Sequence, residues 1–317
     1  MHASRSVAVT TTARLHFGFL DPSGRSAQPF GSFGLSLDRP CTRLTLAPAE
    51  TWDVRGPEAE RAGRYLEAIA ESCGVDRAYR LYVEDAIPSH AGLGSGTQLA
   101  LAVGSAFAAA EGITLSPLDI AARLGRGARS GIGIVTFEAG GAVLDSGPYE
   151  GDLPQLIARV PFPDDWRVLL IFDPEVKGLD GAREVAAFEA LPAYPESRVA
   201  DLRTRIVERA LPALARHGFA PFAAEVGHLQ DCMGAYFAPI QDGPHTSPRV
   251  GQLLDWLRSE GVTGRGQSSW GPTGFAFAPS EDAGQALLAA AKTRPDSIGL
   301  RFMLARGRNE GAEIAID

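Results

Sequence analysis

Residues 88–98 read Pro88-Ser-His-Ala-Gly-Leu-Gly-Ser-Gly-Thr-Gln98 and lie between a predicted strand, Arg80–Ile87, and a predicted helix, Thr97–Ala110. Glycines and hydroxyl side chains at a helix start direct backbone N–H groups at one point, and glycine lets phosphate oxygens approach closely. The stretch is neither GxxxxGK[ST] nor GxGxxG, which excludes a P-loop or a Rossmann site. A tight turn with Ser95 or Thr97 as N-cap is the structural alternative.

The rest of the chain alternates helical and strand patterns. On the N-terminal side the sequence predicts strands over Ser6–His16 and Thr42–Ala47, a functional loop over Gly18–Gly34 and a helix over Glu58–Ser72. On the C-terminal side it predicts helices over Pro117–Arg126, Gly181–Leu191, Arg198–Arg216, Ala220–Ala235, Arg249–Glu260 and Asp282–Lys292, a hairpin of Ile132–Phe137 and Ala142–Asp145, and strands over Trp166–Asp173, Gly274–Ala278 and Arg301–Ala305.

A βαββ-like pattern in each half predicts an α+β fold with two domains. The charged, proline-bearing stretch Pro161–Asp165 is the predicted boundary, which gives domains of residues 1–165 and 166–317.

Composition narrows the class of protein. The 317 residues are 45% hydrophobic with no apolar run of about 18, so we expect a sizeable core and no membrane span. A net charge of −8 argues against nucleic acid as a partner. Three scattered cysteines and a polar start without an apolar signal segment favour the cytoplasm. Lys177 and Lys292 are the only lysines, so a catalytic lysine is not expected.

The motif Pro-x-x-x-Gly-Leu-Gly-Ser in residues 88–95 resembles the phosphate-binding motif of the GHMP superfamily, which includes galactokinase, homoserine kinase and mevalonate kinase. Residues 13–18 (ARLHFG) resemble the first strand and loop of that family, and residues 264–275 (GRGQSSWGPTGF) its third, Gly-rich motif. The resemblance spans most of the chain. It implies a GHMP-kinase-like fold with a ribosomal-protein-S5-like N-terminal domain and a ferredoxin-like C-terminal α/β domain.

Two positions depart from the kinases of this family. The kinases typically read Gly-Leu-Gly-Ser-Ser, and the second serine is here Gly96. They also carry Ser-Gly-x-Asp, whose aspartate serves the acceptor hydroxyl, and this place is Gly133 in Ser130-Gly-Ile-Gly133. Without that carboxylate, deprotonation of an acceptor alcohol loses its usual agent, so ATP-dependent phosphoryl transfer is disfavoured.

Four variants occur in order along the chain: Arg14-Leu-His16, Gly92-Leu-Gly-Ser-Gly-Thr-Gln98, Ser130-Gly-Ile-Gly133 with Phe137-Glu138, and Ser268-Ser-Trp-Gly-Pro-Thr273. They are similar to the β-ribofuranosylaminobenzene 5′-phosphate synthases of tetrahydromethanopterin biosynthesis. The resemblance implies phosphoribosyl pyrophosphate as donor and 4-aminobenzoate or 4-hydroxybenzoate as acceptor. The carboxylate-bearing ring carbon would attack the anomeric carbon, and pyrophosphate and CO₂ would leave.

This resemblance implies Mg²⁺ as cofactor for the pyrophosphate charge, held by oxygen ligands. Asp21 is the first choice for a metal-binding or catalytic carboxylate and Glu138 the second. The alternative for Asp21 is a structural role in the turn Asp21-Pro-Ser-Gly.

Substrate contacts are expected from the motif loops and nearby arginines. Arg14 and Arg25 are predicted to hold the aromatic carboxylate, and Arg126 and Arg129 the 5′-phosphate. His16 is a predicted base, and His90 a predicted substrate contact. Further predicted substrate-binding residues are Gly92, Gly94, Ser95, Gly96, Thr97, Gln98, Ser268, Ser269 and Thr273. Phe17, Phe19 and Trp270 are aromatic residues in these motifs, for which a core role is the default.

Two other functions remain open at the level of sequence: an ATP-dependent small-molecule kinase and a non-catalytic sugar-phosphate-binding protein. Both would use the loop of residues 88–98, and the glycines at 96 and 133 fit the second as well as they fit altered catalysis. A homodimer is the default assembly for an enzyme of this kind.

Overall fold

The structure, a computed structural model, describes residues 6–25, 30–148, 152–178 and 181–317. The strands are β1 (Val7–Thr10), β2 (Ala13–Asp21), β3 (Phe30–Leu37), β4 (Arg43–Pro48), β5 (Asp53–Arg55), β6 (Tyr79–Asp85), β7 (Ala142–Asp145), β8 (Leu156–Val160), β9 (Arg167–Phe172), β10 (Arg265–Gln267), β11 (Gly274–Ala278), β12 (Arg301–Ala305) and β13 (Glu313–Ile316).

The α-helices are α1 (Ala59–Ser72), α2 (Ser95–Glu111), α3 (Pro117–Arg123), α4 (Ile132–Ala139), α5 (Gly181–Ala190), α6 (Glu196–Thr204), α7 (Leu211–Ala215), α8 (Phe219–Gln241), α9 (Pro248–Ser259) and α10 (Glu281–Lys292). A π-helical segment, Arg205–Ala210, joins α6 to α7, and a 3-10 turn, Pro295–Ser297, follows α10.

The strands form three sheets with the orders β13-β1-β4-β6-β5, β2-β3-β7-β8 and β10-β11-β9-β12. The apolar helix α2 packs against the first sheet, and its Leu101, Val103 and Phe107 are fully buried there. A second core joins β2, β3 and β9 to α8 through a cluster of aromatic rings around Phe17 and Phe222. The α+β fold predicted from the sequence is confirmed.

Two local predictions are wrong, besides the single strand expected over Ser6–His16, which is divided between β1 and β2 in different sheets. The predicted loop of residues 18–34 is mostly strand, because β2 runs on to Asp21 and pairs with β3; residues 26–29 lie outside the described residues. The predicted hairpin is a helix, α4, followed by a strand, β7. The two errors are linked: a Cβ on Gly34 of β3 would lie 2.8 Å from Ile132 Cγ2 of α4, so this glycine marks a close helix–sheet approach rather than a loop.

The chain returns to its first sheet after the last predicted strand. The short β13 pairs antiparallel with β1, with Val7 opposite Ile316. The boundary at Pro161–Asp165 stays a prediction. No helix in the described part of the chain is long and apolar enough to cross a membrane.

Candidate active site

Residues 88–94 lie in the turn that was expected between β6 and α2, and residues 95–98 begin α2. Gly94 is the N-cap of α2 in the left-handed conformation, and no side chain caps the helix. The first backbone N–H groups of α2 have no intrahelical partners, so they favour a bound anion at this end. Neither Ser95 nor Thr97 is the N-cap, and the alternative of a simple capped turn is therefore wrong.

Two distant segments hold this loop in place. Arg14 N of β2 donates to Leu93 O at 3.0 Å, and His16 N donates to Ser268 Oγ at 3.0 Å. Ser268 Oγ in turn donates to Gly92 O at 2.8 Å. The first, second and third sequence motifs therefore meet at one place, as their resemblance to a single site predicted.

A cleft of about 560 Å³ opens above the start of α2. Its lining includes the loop glycines, Ser95, Thr97, His90 and Ser269, and among its described residues four arginines accompany a single carboxylate. The arginines are Arg14, Arg61, Arg126 and Arg129, and the carboxylate is Glu184. A cation-rich cleft in a protein of net charge −8 attracts anionic ligands selectively.

The four arginines differ in what they bind. Arg61 pairs with Glu58 at 2.9 Å, and Arg129 pairs with Glu184 at 2.9 Å. Arg14 Nε and Nη1 and Arg126 Nε are buried without a hydrogen-bond partner among the described residues, as is Arg61 Nε, although Arg61 is paired through its Nη2. Burial lowers the pKa of Arg14 to about 10, so its guanidinium is still a cation at neutral pH. Unsatisfied buried donors of this kind are costly, so an anion that accepted hydrogen bonds from them would be bound favourably.

The structure also shows what fills the space where the related kinases carry serine and aspartate. A Cβ on Gly96 would lie 2.7 Å from Arg126 Nη2 and 3.8 Å from Arg61 Nη1. A Cβ on Gly133 would lie 3.1 Å from Thr97 Cγ2. Guanidinium groups therefore lie where a side chain at position 96 would go, and the methyl group of Thr97 lies where a side chain at position 133 would go.

Asp145, which the sequence reasoning missed, orders the Ser130-Gly-Ile-Gly133 turn. Its carboxylate accepts hydrogen bonds from the backbone N–H groups of Gly131 at 2.7 Å, Ser32 at 2.8 Å and Gly147 at 2.9 Å. Burial raises its pKa, and these hydrogen bonds oppose that rise. The available sequence signal was an acidic residue at the end of an apolar strand, Ala-Val-Leu-Asp145.

His16 lies in the cleft wall and is 1% exposed. Neither ring nitrogen has a hydrogen-bond partner in the described structure, and the ring packs 4.7 Å from that of Phe19. Burial and the neighbouring Arg14 cation keep the pKa of His16 well below its usual value. The imidazole is therefore neutral near pH 7 and offers one donor and one acceptor.

Three predicted residues lie outside the lining of the cleft. Asp21 accepts hydrogen bonds from Ser23 N at 3.0 Å and Ser23 Oγ at 2.6 Å, in the turn that was its alternative role. Arg25 is exposed and donates to Glu189 O. Glu138 is exposed near the end of α4, because the segment that carries it is a helix and not a strand of a hairpin.

Three more predicted contacts are buried in the framework of the cleft. Gln98 Nε2 donates to Gly133 O at 2.7 Å and thereby joins α2 to α4. Thr273 and Ser268 are fully buried, and Thr273 O accepts from Ser268 N at 3.0 Å. The geometry gives all three a role in positioning the loops, and direct substrate contact by them stays a prediction.

The described residues do not offer a metal-binding set. No group of three or more His, Cys, Asp or Glu side chains in this part of the chain is arranged to hold a metal ion. Glu184, the carboxylate of the cleft lining, already pairs with Arg129. The expectation of Mg²⁺ stays a prediction.

Comparison with known proteins agrees with this geometry. The profile of the GHMP kinases N terminal domain matches residues 60–141, and that of the GHMP kinases C terminal region matches residues 210–296. Mevalonate diphosphate decarboxylase from Staphylococcus aureus has a similar solved structure, with a TM-score of 0.69, 15% identity and 98% of each chain covered. Fold and profiles together define a member of the GHMP class.

Two archaeal relatives show which family of the GHMP superfamily the chain resembles. Beta-ribofuranosylphenol 5′-phosphate synthase of Archaeoglobus fulgidus is 30% identical, over 96% of this chain and 98% of that protein. The protein of the same name in Methanothermobacter thermautotrophicus is 28% identical, over 96% and 97%. The chain belongs to the β-ribofuranosylphenol 5′-phosphate synthase family of the GHMP superfamily.

Proposed function

We propose that this protein is a decarboxylating phosphoribosyltransferase that joins phosphoribosyl pyrophosphate to a 4-substituted benzoate. The observation that carries the proposal is the pair of arginines, Arg14 and Arg126, which lie beside the uncapped start of α2 with N–H groups that have no partner among the described residues. Such a site matches the clustered charge of a pyrophosphate. The lack of a carboxylate at Gly133 supports transfer to carbon rather than to an alcohol.

In this mechanism the loop at Gly94–Thr97 and the two arginines bind the pyrophosphate of the donor, which takes the place of the aromatic carboxylate and the 5′-phosphate expected for Arg14 and Arg126 from the sequence. The bond between the anomeric carbon and the pyrophosphate oxygen breaks, and its electron pair leaves with pyrophosphate. Fixed N–H groups and guanidinium cations stabilise the charge that develops on the leaving group, which is the general way in which preorganised sites lower such barriers.

The acceptor ring supplies the new bond. Its carboxylate-bearing carbon attacks the anomeric carbon, assisted by electron donation from the amino or hydroxyl group at the 4 position. The bond to the carboxylate then breaks, its electrons restore the aromatic ring, and CO₂ leaves. The name of the archaeal relatives refers to a phenol product, which supports 4-hydroxybenzoate over 4-aminobenzoate as the acceptor.

His16 lines the cleft in which this mechanism would hold the donor and the acceptor. Its lowered pKa makes it a weak proton acceptor, so we assign it a hydrogen-bonding role rather than the role of a strong base. A place in tetrahydromethanopterin biosynthesis would follow from the same reaction.

The test is an assay of the purified protein with phosphoribosyl pyrophosphate, Mg²⁺ and each benzoate in turn. We expect pyrophosphate and CO₂ in equal amounts, with the hydroxy acid as the better acceptor. Formation of ADP from ATP with an alcohol acceptor would instead support a kinase. Tight binding of the donor without either product would support a non-catalytic sugar-phosphate-binding protein.

The predicted catalytic role of Asp21 has its own test. We expect Asp21→Asn to lower kcat at least about tenfold, or 1.4 kcal/mol of barrier, if its carboxylate faces the reacting sugar. The matched control is Ser23→Ala, which removes the hydroxyl hydrogen bond of the turn and leaves the backbone one and the carboxylate. Equal losses in both variants would assign Asp21 to the turn alone, and circular dichroism would check that both fold.

A further inference from the structure

A second, smaller cavity lies behind the wall of the cleft. Both spaces are lined by His16, Phe19 and Ser269, so these residues form the boundary between them. The inner cavity extends from this boundary to α8, where Met233 and Phe237 line it. Its volume is about 30 Å³, whereas a single water needs roughly 10–15 Å³. The inner cavity therefore has room for a few atoms and not for an aromatic ring.

The inner cavity contrasts with the cleft in charge. Its described lining contains no aspartate, glutamate, lysine or arginine. Its two histidines, His16 and His245, both have pKa values lowered chiefly by burial, so both are neutral near pH 7. The four arginines of the cleft all lie on the other side of the boundary. An anionic group placed in the inner cavity would lose solvation and find no cation in its described lining, although the charge of Arg14 reaches the His16 wall.

Hydrogen-bond donors nevertheless remain available there. The three glutamines of the lining are engaged: Gln230 donates to Phe17 O, Gln267 Nε2 donates to Ser269 O at 3.0 Å, and Gln241 Nε2 donates to Pro244 O at 2.9 Å. Trp270, which is 3% exposed, lines the cavity, and its Nε1 has no partner among the described residues. The ring nitrogens of His16 are likewise unpartnered within the described structure. Two neutral side chains of the lining thus carry buried polar atoms without a partner in the described structure.

We propose that the inner cavity receives the carboxylate of the aromatic acceptor and releases it as CO₂, with Trp270 Nε1 and the His16 ring as its polar contacts. The inference rests on the proposed function. The ring itself would stay in the cleft beside the donor, and only its carboxylate would pass the boundary of His16, Phe19 and Ser269.

The chemistry explains why an uncharged cavity suits this group. The carboxylate carries a full negative charge before the step, whereas CO₂ is neutral after it. When the carbon–carbon bond breaks, its electron pair moves into the ring, which is the electron sink left by attack on the anomeric carbon. A site without cations stabilises the carboxylate less than it stabilises CO₂, so it favours cleavage. Neutral hydrogen-bond donors orient the carboxylate but stabilise its negative charge less than a cation would.

The experiment measures kcat, KM for 4-hydroxybenzoate and the carboxyl ¹³C isotope effect in two variants. Trp270→Phe keeps the ring and removes the N–H, and we expect kcat to fall about tenfold or more and the isotope effect to rise, because cleavage becomes more rate-limiting. Gln241→Lys brings a cation to the cavity, and we expect a lower KM for the acid together with a lower kcat. The KM for phosphoribosyl pyrophosphate should stay within about twofold in both.

Trp256→Phe is the matched control, since Trp256 lies on α9 and outside both cavities. If the wild type is active and both variants keep the kcat, KM and isotope effect of this control, the inference is overturned while the proposed function stands. If the wild type releases neither pyrophosphate nor CO₂ with either acid, both the proposed function and this inference are wrong.

Discussion

Replacement of Arg14 by methionine should weaken the binding of inorganic pyrophosphate by about tenfold to 100-fold, since a hydrogen bond to a charged group contributes about 1.5–3 kcal/mol. The side chain of methionine is close in length, so the wall of the cleft keeps its shape while the guanidinium disappears. Isothermal titration calorimetry with pyrophosphate measures the loss directly, and kcat/KM for the sugar donor should fall in parallel.

The same substitution should leave stability unchanged or raise it. Arg14 Nε and Nη1 are buried without partners among the described residues, which costs free energy that a methionine does not. Because burial lowers the pKa of Arg14 to about 10, wild-type affinity should fall as the pH rises through that value, and the affinity of Arg14→Met should not.

Arg55→Met is the control for this prediction. Arg55 is exposed and pairs with Asp53 at the surface, so its loss should change neither affinity nor stability by more than about 1 kcal/mol. Equal pyrophosphate affinities in Arg14→Met and Arg55→Met would show that the cleft does not bind this anion through Arg14.

Gly92→Ala should destabilise the fold by about 3–5 kcal/mol and abolish activity. A Cβ at this position would lie 2.2 Å from Ser268 O and 2.8 Å from Gly271 Cα, and both are backbone atoms that cannot move aside alone. The residue also has a φ of 79°, in the left-handed region, where the strain of an alanine backbone contributes roughly 1–2 kcal/mol of that total. Denaturant unfolding measures the change in free energy.

The matched control is Gly112→Ala at the C-terminal end of α2. Gly112 has a similar φ of 66°, and no atom lies within 4 Å of the position that an added Cβ would take there. This variant should lose only the roughly 1–2 kcal/mol of backbone strain. The difference between the two variants isolates the contact between the phosphate-binding loop and the late Gly-rich loop, and equal losses would show that this contact is unimportant.

The sequence predicted the helices and strands whose local pattern was unambiguous. The strand before residues 88–98, the helix after them and the apolar strand near Trp166 all lie within a few residues of their expected bounds. Prediction failed at Ile132–Phe137, because a short run of buried apolar residues has no periodicity that separates a helix from a strand. The run is a helix buried on nearly all sides between α2 and β3.

The candidate site was predictable only in part. The three motifs could be placed together by their resemblance to one family, and the cleft residues Arg14, Arg126 and Arg129 were among those expected. The sequence could not show which of these residues line the cleft. Gln98 is instead buried in the framework beneath it, and Glu138 is exposed outside it. The role of Asp145 depends on backbone N–H groups from three separate segments, which no linear pattern reveals.

The pairing of β13 with β1 has a consequence for synthesis in the cell. Ile316 lies opposite Val7, and Asp317 N donates to Ser6 O at 3.0 Å, so segments far apart in the sequence are neighbours in space. A ribosome makes β1 before all the residues that separate it from β13, so the outer edge of β1 stays uncovered while those residues are synthesised. Chaperone binding to the nascent chain would be most useful in this interval, and a circular permutant with the two segments joined would shorten it.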